Sequence, residues 1–227
     1  MISQRFDAAV FDLDGTLIDS EPDLRAALNK TLTQAGRAEV TRDQVIKMIG
    51  DGVPKLVERG FAATGGPPRD GLEAAVRQFS ANYEGHTSAL SEVFPGVASA
   101  LVGLKNQGLK LGVCTNKPQK PTEEILAAFG LDALIDASVG GDALGGVRKP
   151  DGRHLGAVLD KLGTTPARAV MVGDNHNDAG VAKALGVPFV AVSFGYARGT
   201  VEELEADHVI DHFSELAAAL EALARFA

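Results

Sequence analysis

Two aspartates follow a short apolar run near the start of the chain, with a residue type and spacing suited to acid–base or nucleophilic chemistry. The stretch reads Ala8-Ala9-Val10-Phe11-Asp12-Leu13-Asp14-Gly15-Thr16, which is typical of a buried strand that ends in a loop. Side chains alternate along a strand, so Asp12 and Asp14 begin on one face until the bend at Gly15 separates them. A carboxylate beside an apolar strand costs roughly several kcal/mol unless it is paired or metal-bound. The pattern therefore indicates either a solvated Asp-Gly turn or two carboxylates with different roles.

The same stretch does not fit a calcium loop of the EF-hand type. Such a loop needs glycine at its sixth position and glutamate at its twelfth. Counted from Asp12, Gly15 stands at the fourth position and Asp23 at the twelfth, so the spacing excludes an EF-hand.

Polar groups also follow later apolar runs. They are Thr115-Asn116-Lys117 after 111–114, Arg148-Lys149-Pro150-Asp151 in a loop, and Gly173-Asp174-Asn175-His176-Asn177-Asp178 after 169–172. Considered one at a time, each group has a structural explanation. Thr115 would be a helix cap, Lys149 a surface lysine, and the last group a solvated turn. Together with Asp12 and Asp14, they put polar side chains wherever an apolar strand ends.

From residue 97 onward, helical and strand patterns alternate. Strands are predicted at 109–114, 134–139, 169–172, 188–192 and 209–210, and helices at 97–107, 121–129, 152–162, 179–185 and from 214. This alternation is typical of a doubly wound parallel α/β sheet with helices on both faces, in a Rossmann-like arrangement. Ligands bind such sheets at the carboxyl ends of the strands, where the polar groups fall.

Residues 20–90 carry helical patterns and no strand pattern. Ser20-Glu21-Pro22-Asp23 and Thr41-Arg42-Asp43-Gln44 each have the composition of a capping box, and further helices are predicted at 53–63 and 72–83. This block interrupts the alternation directly after the strand that carries Asp12. We therefore predict an all-helical cap at 19–91, inserted into an α/β core of 1–18 and 92–227, with hinges near 17–19 and 91–95.

Composition limits the class of protein. The chain has 227 residues, 45% of them hydrophobic, which is enough for a sizeable core. A net charge of −8 and 5% aromatic residues argue against nucleic-acid or anionic-membrane partners. No stretch resembles a signal peptide or membrane span, and the single cysteine, Cys114, fits a reducing cytoplasm. We expect a cytoplasmic protein, and the sequence leaves monomer and homodimer open.

The order of the motifs resembles that of the haloacid dehalogenase superfamily over nearly the whole chain. The four motifs correspond to Asp12-Leu13-Asp14-Gly15-Thr16, Thr115, Lys149-Pro150, and Gly173-Asp174 with Asp178. The chain is also similar to the phosphoglycolate phosphatase branch, through Asp19-Ser20-Glu21-Pro22-Asp23-Leu24, Gly50-Asp51-Gly52, Phe94-Pro95-Gly96-Val97, Thr115-Asn116-Lys117-Pro118, Gly140-Gly141-Asp142 and Phe194-Gly195-Tyr196. This resemblance implies hydrolysis of a small phosphomonoester, with 2-phosphoglycolate as the favoured substrate.

The resemblance also implies residue roles that the side-chain chemistry supports. Asp12 would attack phosphorus and form an aspartyl-phosphate, while Asp14 would protonate the leaving alkoxide and then take a proton from water. Thr115 and the backbone N–H of Asn116 would hold the phosphoryl oxygens, and Lys149 would neutralise their charge.

Magnesium is the implied cofactor. Oxygen ligands from Asp12, the backbone carbonyl of Asp14 and Asp174 suit Mg²⁺, and Asp178 would orient the metal-bound waters. Local positive charge from the metal and Lys149 would allow an anionic substrate to bind despite the net charge of −8.

Several alternatives remain at this point. A dehalogenase is disfavoured, because a halide leaving group needs no acid such as Asp14. A phosphatase for sugar phosphates or pyrophosphate, and a β-phosphoglucomutase-like phosphomutase, would share the core and differ in the cap. A phosphonate hydrolase would need a cap lysine for a Schiff base, for which Lys30, Lys47 and Lys55 are available. A non-catalytic module that binds Mg²⁺ or a phosphorylated ligand would not need Asp14 beside the nucleophile.

Other polar residues carry weaker indications. His176 is expected to be solvated, and Cys114 to be a buried thiol. Arg148 is either a second cation at the site or an exposed residue. The turn Gly50-Asp51-Gly52, with Lys55 and Arg59 on the next helix, would either bind the substrate's carboxylate or form an ordinary surface helix start.

Overall fold

The computed structural model describes residues 2–225. Its strands are β1 (Ala8–Phe11), β2 (Ile18–Asp19), β3 (Glu92–Val93), β4 (Lys110–Cys114), β5 (Ala137–Val139), β6 (Ala169–Gly173), β7 (Phe189–Val192) and β8 (His208–Ile210). Its α-helices are α1 (Ile2–Arg5), α2 (Glu21–Gln34), α3 (Arg42–Ile46), α4 (Val53–Ala63), α5 (Leu72–Tyr83), α6 (Val97–Asn106), α7 (Gln119–Ala128), α8 (Gly152–Leu162), α9 (His176–Leu185) and α10 (Leu216–Arg225).

Six strands form one parallel sheet in the order β5-β4-β1-β6-β7-β8. Strand β1 lies between β4 and β6, and Phe11 is in register with Val113 on one side and Val172 on the other. The three central strands therefore end at the same level, so the residues that follow them meet at one edge.

Each central strand contributes to two apolar clusters, because alternate side chains point to opposite faces. In β1, Ala9 and Phe11 pack with α6, α7 and α10 on one face, whereas Ala8 and Val10 pack with α8 and α9 on the other. The predicted doubly wound α/β sheet is confirmed.

Helices α2 to α5 pack around a third apolar cluster, which includes Leu28, Val57 and Phe79. We call residues 19–91 the helical segment. The two chain connections to it pair with each other, since Ile18 and Asp19 of β2 lie antiparallel to Val93 and Glu92 of β3. One residue from outside, Tyr196, also packs in the cluster and links it to the sheet.

Local predictions were right at one helix start and wrong at another. Thr41 and Gln44 form the expected capping box at α3. Ser20 does not cap α2: its backbone is helical, and its hydroxyl donates instead to Asp14 Oδ1 at 2.6 Å. With Ser20 in a helical backbone conformation, its oxygen does not accept an N–H of the first turn, and its hydroxyl proton is used in a charge-assisted hydrogen bond to Asp14.

Two other element starts lie three residues from their predicted positions. Strand β5 is shorter than predicted, because residues 134 and 135 turn back to hydrogen-bond Leu131. Helix α9 begins three residues before the predicted residue 179, because Asn175 and Asp178 form a capping box. Among the described helices, none is long and apolar enough to span a membrane.

Phe79 offers a test of how much the helical segment's cluster stabilises the protein. Its side chain is fully buried and stacks on Tyr83 with ring centroids 5.7 Å apart. We expect Phe79→Ala to lower the free energy of unfolding by about 3–5 kcal/mol, measured by urea denaturation. The exposed Leu90 provides the control, and Leu90→Ala should change stability by less than about 0.5 kcal/mol. Equal losses for both variants would contradict the packing described here.

Candidate active site

The loop after β1 folds tightly against the loop after β6. Gly15 adopts φ +88°, and a Cβ atom there would lie 2.5 Å from Asp174 Oδ2. A side chain is therefore excluded at Gly15 by backbone conformation and by space. The close approach lets Thr16 Oγ1 donate to Asp174 Oδ1 at 2.9 Å, which ties the first and last predicted motifs together.

Lys149 lies at the centre of the strand-end cluster. Its Nζ is 2.8 Å from Asp12 Oδ1 and 2.6 Å from Asp178 Oδ1, and all three side chains are buried. Burial lowers the pKa of Lys149, but the adjacent carboxylates of Asp12 and Asp178 outweigh it and hold the pKa above its usual value. The backbone N–H of Lys149 donates to Nδ1 of the buried His154 at 3.0 Å. Lys149 is therefore a fixed, charged group beside Asp12.

The carboxylates of Asp12, Asp174 and Asp178 form a compact acidic cluster, with one oxygen from each lying within 4.8 Å of the others. Burial and the two neighbouring acids raise the pKa of Asp174 well above its usual value. Burial and the charge of Asp12 raise the pKa of Asp178 to about 7, although Lys149 opposes the shift. The three carboxylates outnumber the single buried ammonium group of Lys149, and all the atoms available as metal ligands are oxygens. A hard divalent cation therefore fits the cluster.

The members of this cluster differ in how available their oxygens are. Asp178 Oδ1 accepts from Lys149, and Oδ2 accepts the backbone N–H groups of Asp174 and Asn175 at 3.0 and 3.1 Å. Asp178 therefore holds the loop and the lysine.

Asp174 also accepts at both oxygens, from Thr16 Oγ1 at 2.9 Å and from the backbone N–H of Tyr196 at 2.7 Å. Asp12 Oδ2 has only a long contact with Asn175 Nδ2 at 3.4 Å, so it is the most available oxygen of the cluster.

Asp14 points away from this cluster, as its position beyond the strand end suggested. Its Oδ1 accepts hydrogen bonds from Ser20 Oγ at 2.6 Å and from Lys117 Nζ at 3.0 Å. In the sequence, Lys117 belongs to one of the motifs but has no assigned role. Its position indicates a place at the site, because a charged residue just after β4 lies at the same edge of the sheet as Asp12.

A small cavity separates the helical segment from the sheet edge. It is lined by Asp12, Asp14, Leu24, Ile49, Gly50, Gly52, Val53, Leu56, Tyr83, Thr115, Asn116 and Lys117. About 30 Å³ of its interior is open to the centres of water-sized molecules. Asp12 and Asp14 thus face one shared cavity beneath the helical segment.

The turn at Gly50-Asp51-Gly52 closes one side of this cavity and is held by residues of the sheet edge. Gly50 O accepts from Asn116 Nδ2 at 2.9 Å and from Asn177 Nδ2 at 3.1 Å. Asp51 accepts from Asn177 Nδ2 at 2.6 Å and is ion-paired with Arg198. Burial raises the pKa of Asp51, but these donors outweigh it and lower the pKa to about 2. Sequence reasoning did not find Asn177 or Arg198 as partners of this turn.

Neither Lys55 nor Arg59, which follow this turn on α4, lines the cavity. Lys55 is exposed and pairs with Glu58 at 2.6 Å, and Arg59 pairs with Asp51 at 2.6 Å. Lys30 and Lys47 are also exposed, so none of the three lysines considered for a Schiff base lines the cavity.

Three other residues of the sequence prediction lie outside the cavity. His176 is exposed at the start of α9, and Arg148 is half-buried with its guanidinium near Gly52. Cys114 is fully buried, and burial raises the pKa of its thiol to about 12, so it is not a nucleophile.

The comparisons with known proteins agree with this geometry. The model of the haloacid dehalogenase-like hydrolase family matches residues 9–192. The chain belongs to this family. The predicted resemblance is therefore confirmed, and the family match spans both the aspartates after β1 and the acidic loop after β6.

Several relatives of the hydrolase are similar along most of their length. The phosphoglycolate phosphatase of Rhodospirillum rubrum is 44% identical over 215 residues, which cover 92% of this chain and 88% of that protein. The phosphoglycolate phosphatase of Caulobacter vibrioides is 44% identical, with 91% and 87% covered. The crystal structure of a predicted phosphoglycolate phosphatase from Haemophilus somnus matches with a TM-score of 0.89 at 31% identity, with 94% and 97% covered. CbbY from Rhodobacter sphaeroides, in complex with phosphate, matches with a TM-score of 0.81 at 25% identity, with 95% and 99% covered.

His154 supplies a pH-dependent test of the support behind Lys149. Burial, together with the charge of Lys149, lowers the pKa of His154 from 6.5 to about 4. The unfolded chain therefore binds this proton more readily, and His154 alone should remove about 2–3 kcal/mol of stability as pH falls from 6.5 to 4. His154→Asn keeps an acceptor for the Lys149 N–H but cannot titrate, so its stability should fall less over the same range.

The measurement is the free energy of unfolding in urea at several pH values. His86→Asn changes an exposed histidine and should keep the wild-type pH dependence. If His154→Asn and the wild type lose stability in parallel, the buried neutral histidine is not the cause.

Proposed function

We propose that the chain is a Mg²⁺-dependent phosphatase that hydrolyses small phosphomonoesters, with 2-phosphoglycolate as its main substrate. The observation that carries this proposal is the small cavity in which Asp12 and Asp14 meet. Lys149 is ion-paired with Asp12, and Asp174 and Asp178 complete the acidic cluster around it. Two carboxylates with different partners suit two different steps of one reaction.

Asp12 is the proposed nucleophile. One of its carboxylate oxygens attacks phosphorus, and the bond between phosphorus and the ester oxygen breaks as Asp14 donates a proton to that oxygen. Water then attacks the phosphorus of the aspartyl-phosphate, and Asp14 takes the proton from that water. The bond between phosphorus and Asp12 breaks, which releases phosphate, returns Asp12 to its carboxylate form and leaves Asp14 protonated for the next cycle.

The acidic cluster supports Mg²⁺ as the cofactor. Asp12, the backbone carbonyl of Asp14 and Asp174 would hold the ion, and Asp178 would keep its surroundings oriented. When bound, the ion offsets the negative charge of the carboxylates and the phosphoryl group.

Three groups beside Asp12 would hold the transferring phosphoryl oxygens. Thr115 Oγ1 accepts from the backbone N–H of Lys117 at 3.2 Å, which leaves its own proton free to donate to a phosphoryl oxygen. The N–H of Asn116 and the ammonium of Lys149 complete the set, and the fixed position of Lys149 favours charge stabilisation without reorganisation.

The lining of the cavity and the names of the relatives both support a small substrate. The relatives from Rhodospirillum and Caulobacter are phosphoglycolate phosphatases. The wall that the helical segment gives to the cavity consists mainly of Leu24, Ile49, Val53 and Leu56, whose side chains offer no hydrogen bonds to the hydroxyls of a sugar. Sugar phosphatase and phosphomutase activities are therefore less favoured, and pyrophosphate remains a test substrate. A purely binding role would leave Asp14, held beside the nucleophile by Ser20 and Lys117, without a purpose.

We also propose that the helical segment, residues 19–91, acts as a cap on a core of residues 1–18 and 92–227. Its connections run through the paired strands β2 and β3, which could serve as the hinge. Contacts of Asn116, Asn177 and Arg198 with the Gly50-Asp51 turn would hold the cap closed and exclude water during attack. The buried thiol of Cys114 suits a cytoplasmic location.

The first test is phosphate release from 2-phosphoglycolate, sugar phosphates, pyrophosphate and nitrophenyl phosphate, with Mg²⁺ and with a chelator. We expect the highest kcat/KM for 2-phosphoglycolate, and loss of release in the chelator. Asp12→Asn should lower kcat by roughly a thousandfold or more, because the amide is a poor nucleophile.

Circular dichroism and the urea midpoint should show that the Asp12→Asn protein remains folded. Retained activity in this variant would contradict the role of Asp12. Weak release from all substrates would keep the mechanism but contradict the proposed substrate.

The role of Asp14 predicts a dependence on the leaving group. Asp14→Asn should lower kcat/KM for 2-phosphoglycolate by about 100-fold or more, since an alkoxide needs a proton to leave. Nitrophenolate is a weak base, so nitrophenyl phosphate should lose much less activity. The ratio of the two losses is the measurement, and equal losses would rule out Asp14 as the acid.

A further inference from the structure

Lys117 is a buried cation that the proposed reaction does not use. Its Nζ lies 3.0 and 3.3 Å from the two oxygens of Asp14 and 4.9 Å from the centre of the Tyr83 ring. Burial lowers its pKa, but the carboxylate of Asp14 and neighbouring groups outweigh burial and keep the pKa above its usual value. Lys117 is therefore charged while only 5% exposed.

The surroundings of Lys117 suit an anionic group on the leaving-group side of the cavity. Among the described residues that line this cavity, Lys117 is the only cation, and the wall from the helical segment is mainly apolar. The hydroxyl of Tyr83 is buried beside the Lys117 ammonium and makes no well-formed hydrogen bond among the described residues. An anion that entered here would therefore meet one fixed positive charge with a hydroxyl beside it.

The backbone places Lys117 close to the proposed phosphate site. Its N–H donates to Thr115 Oγ1 at 3.2 Å, and its carbonyl accepts from Gly141 N at 2.8 Å. In 2-phosphoglycolate a single methylene separates the ester oxygen from the carboxylate. An ester oxygen in contact with Asp14 would therefore bring that carboxylate within reach of Lys117.

We propose that Lys117 is the specificity-determining residue that binds the substrate's carboxylate, and that this carboxylate displaces Asp14 from Lys117. This inference rests on the proposed function. The exchange separates Asp14 from the ammonium, so that Asp14 takes up a proton from water and can donate it to the ester oxygen, whereas a neutral leaving group would leave Asp14 ionised and paired with Lys117. Ser20 Oγ donates to Asp14 Oδ1 at 2.6 Å and keeps Asp14 oriented after the exchange.

The test compares 2-phosphoglycolate with its neutral amide, which has nearly the same shape. In the wild type, kcat/KM for the acid should exceed that for the amide by about 100-fold or more, because a buried cation discriminates strongly against an uncharged partner. In Lys117→Met, which keeps side-chain length and loses the charge, the ratio should fall to within about tenfold of unity.

Lys120→Met is the matched control, since Lys120 is exposed and pairs with Glu84 at 2.6 Å outside the cavity. It should keep the wild-type ratio. A wild-type ratio that persists in Lys117→Met overturns this inference and leaves the proposed substrate intact. A wild-type ratio near unity contradicts the proposed substrate itself.

A second measurement does not require the Lys117→Met protein to fold. In a crystal structure of Asp12→Asn with 2-phosphoglycolate, Lys117 Nζ should lie within hydrogen-bonding distance of the carboxylate and no longer contact Asp14. If Nζ remains on Asp14 while the carboxylate binds elsewhere, the proposed exchange is wrong.

Discussion

The organisation of the site depends on the ion pairs that Lys149 makes with Asp12 and Asp178 at the edge of the sheet. Burial of one charge alone would be costly, and removal of a partner from such a pair typically costs about 3–5 kcal/mol. Asp174 adds a further buried carboxylate, so negative charge exceeds what Lys149 can balance. This surplus of negative charge favours the binding of a cation at the cluster. Cation binding would then contribute both to the stability of this sheet edge and to its proposed chemistry.

Much of this edge was predictable from the sequence, because the physics there is local. Apolar runs that end in Asp12, Thr115 and Asp174 are recognisable as buried strands with polar ends. Parallel pairing then brings these ends to one level, as the register of Phe11 with Val113 and Val172 shows. These steps use only the local pattern and the rules of parallel pairing, so the fold class and the meeting of these residues followed from the pattern, whereas their proposed roles rest on the family resemblance.

What the sequence did not predict is which side chains pair with each other around the site. Ser20 has the composition of a helix cap, yet its hydroxyl donates to Asp14, six residues before it. Lys117 reaches Asp14 across 103 positions, and Arg198 reaches Asp51 across 147. The first of these two pairs depends on how the loops after β1 and β4 meet, and the second on how the helical segment sits over the sheet. Neither periodicity nor spacing encodes these arrangements.

The net charge of −8 and the anionic substrate are compatible because the two act over different distances. Surface charges are screened beyond about 8 Å at physiological ionic strength, so much of the net charge is weakly felt inside the cavity. Lys149 and Lys117 are buried, where their fields are screened much less, and each is held by a carboxylate that faces the cavity. A dianionic phosphate beside Asp12 and a carboxylate beside Asp14 would thus meet one lysine each. In the proposed mode of binding, these two buried cations would determine how the substrate is recognised, and the acidic surface would have little influence on it.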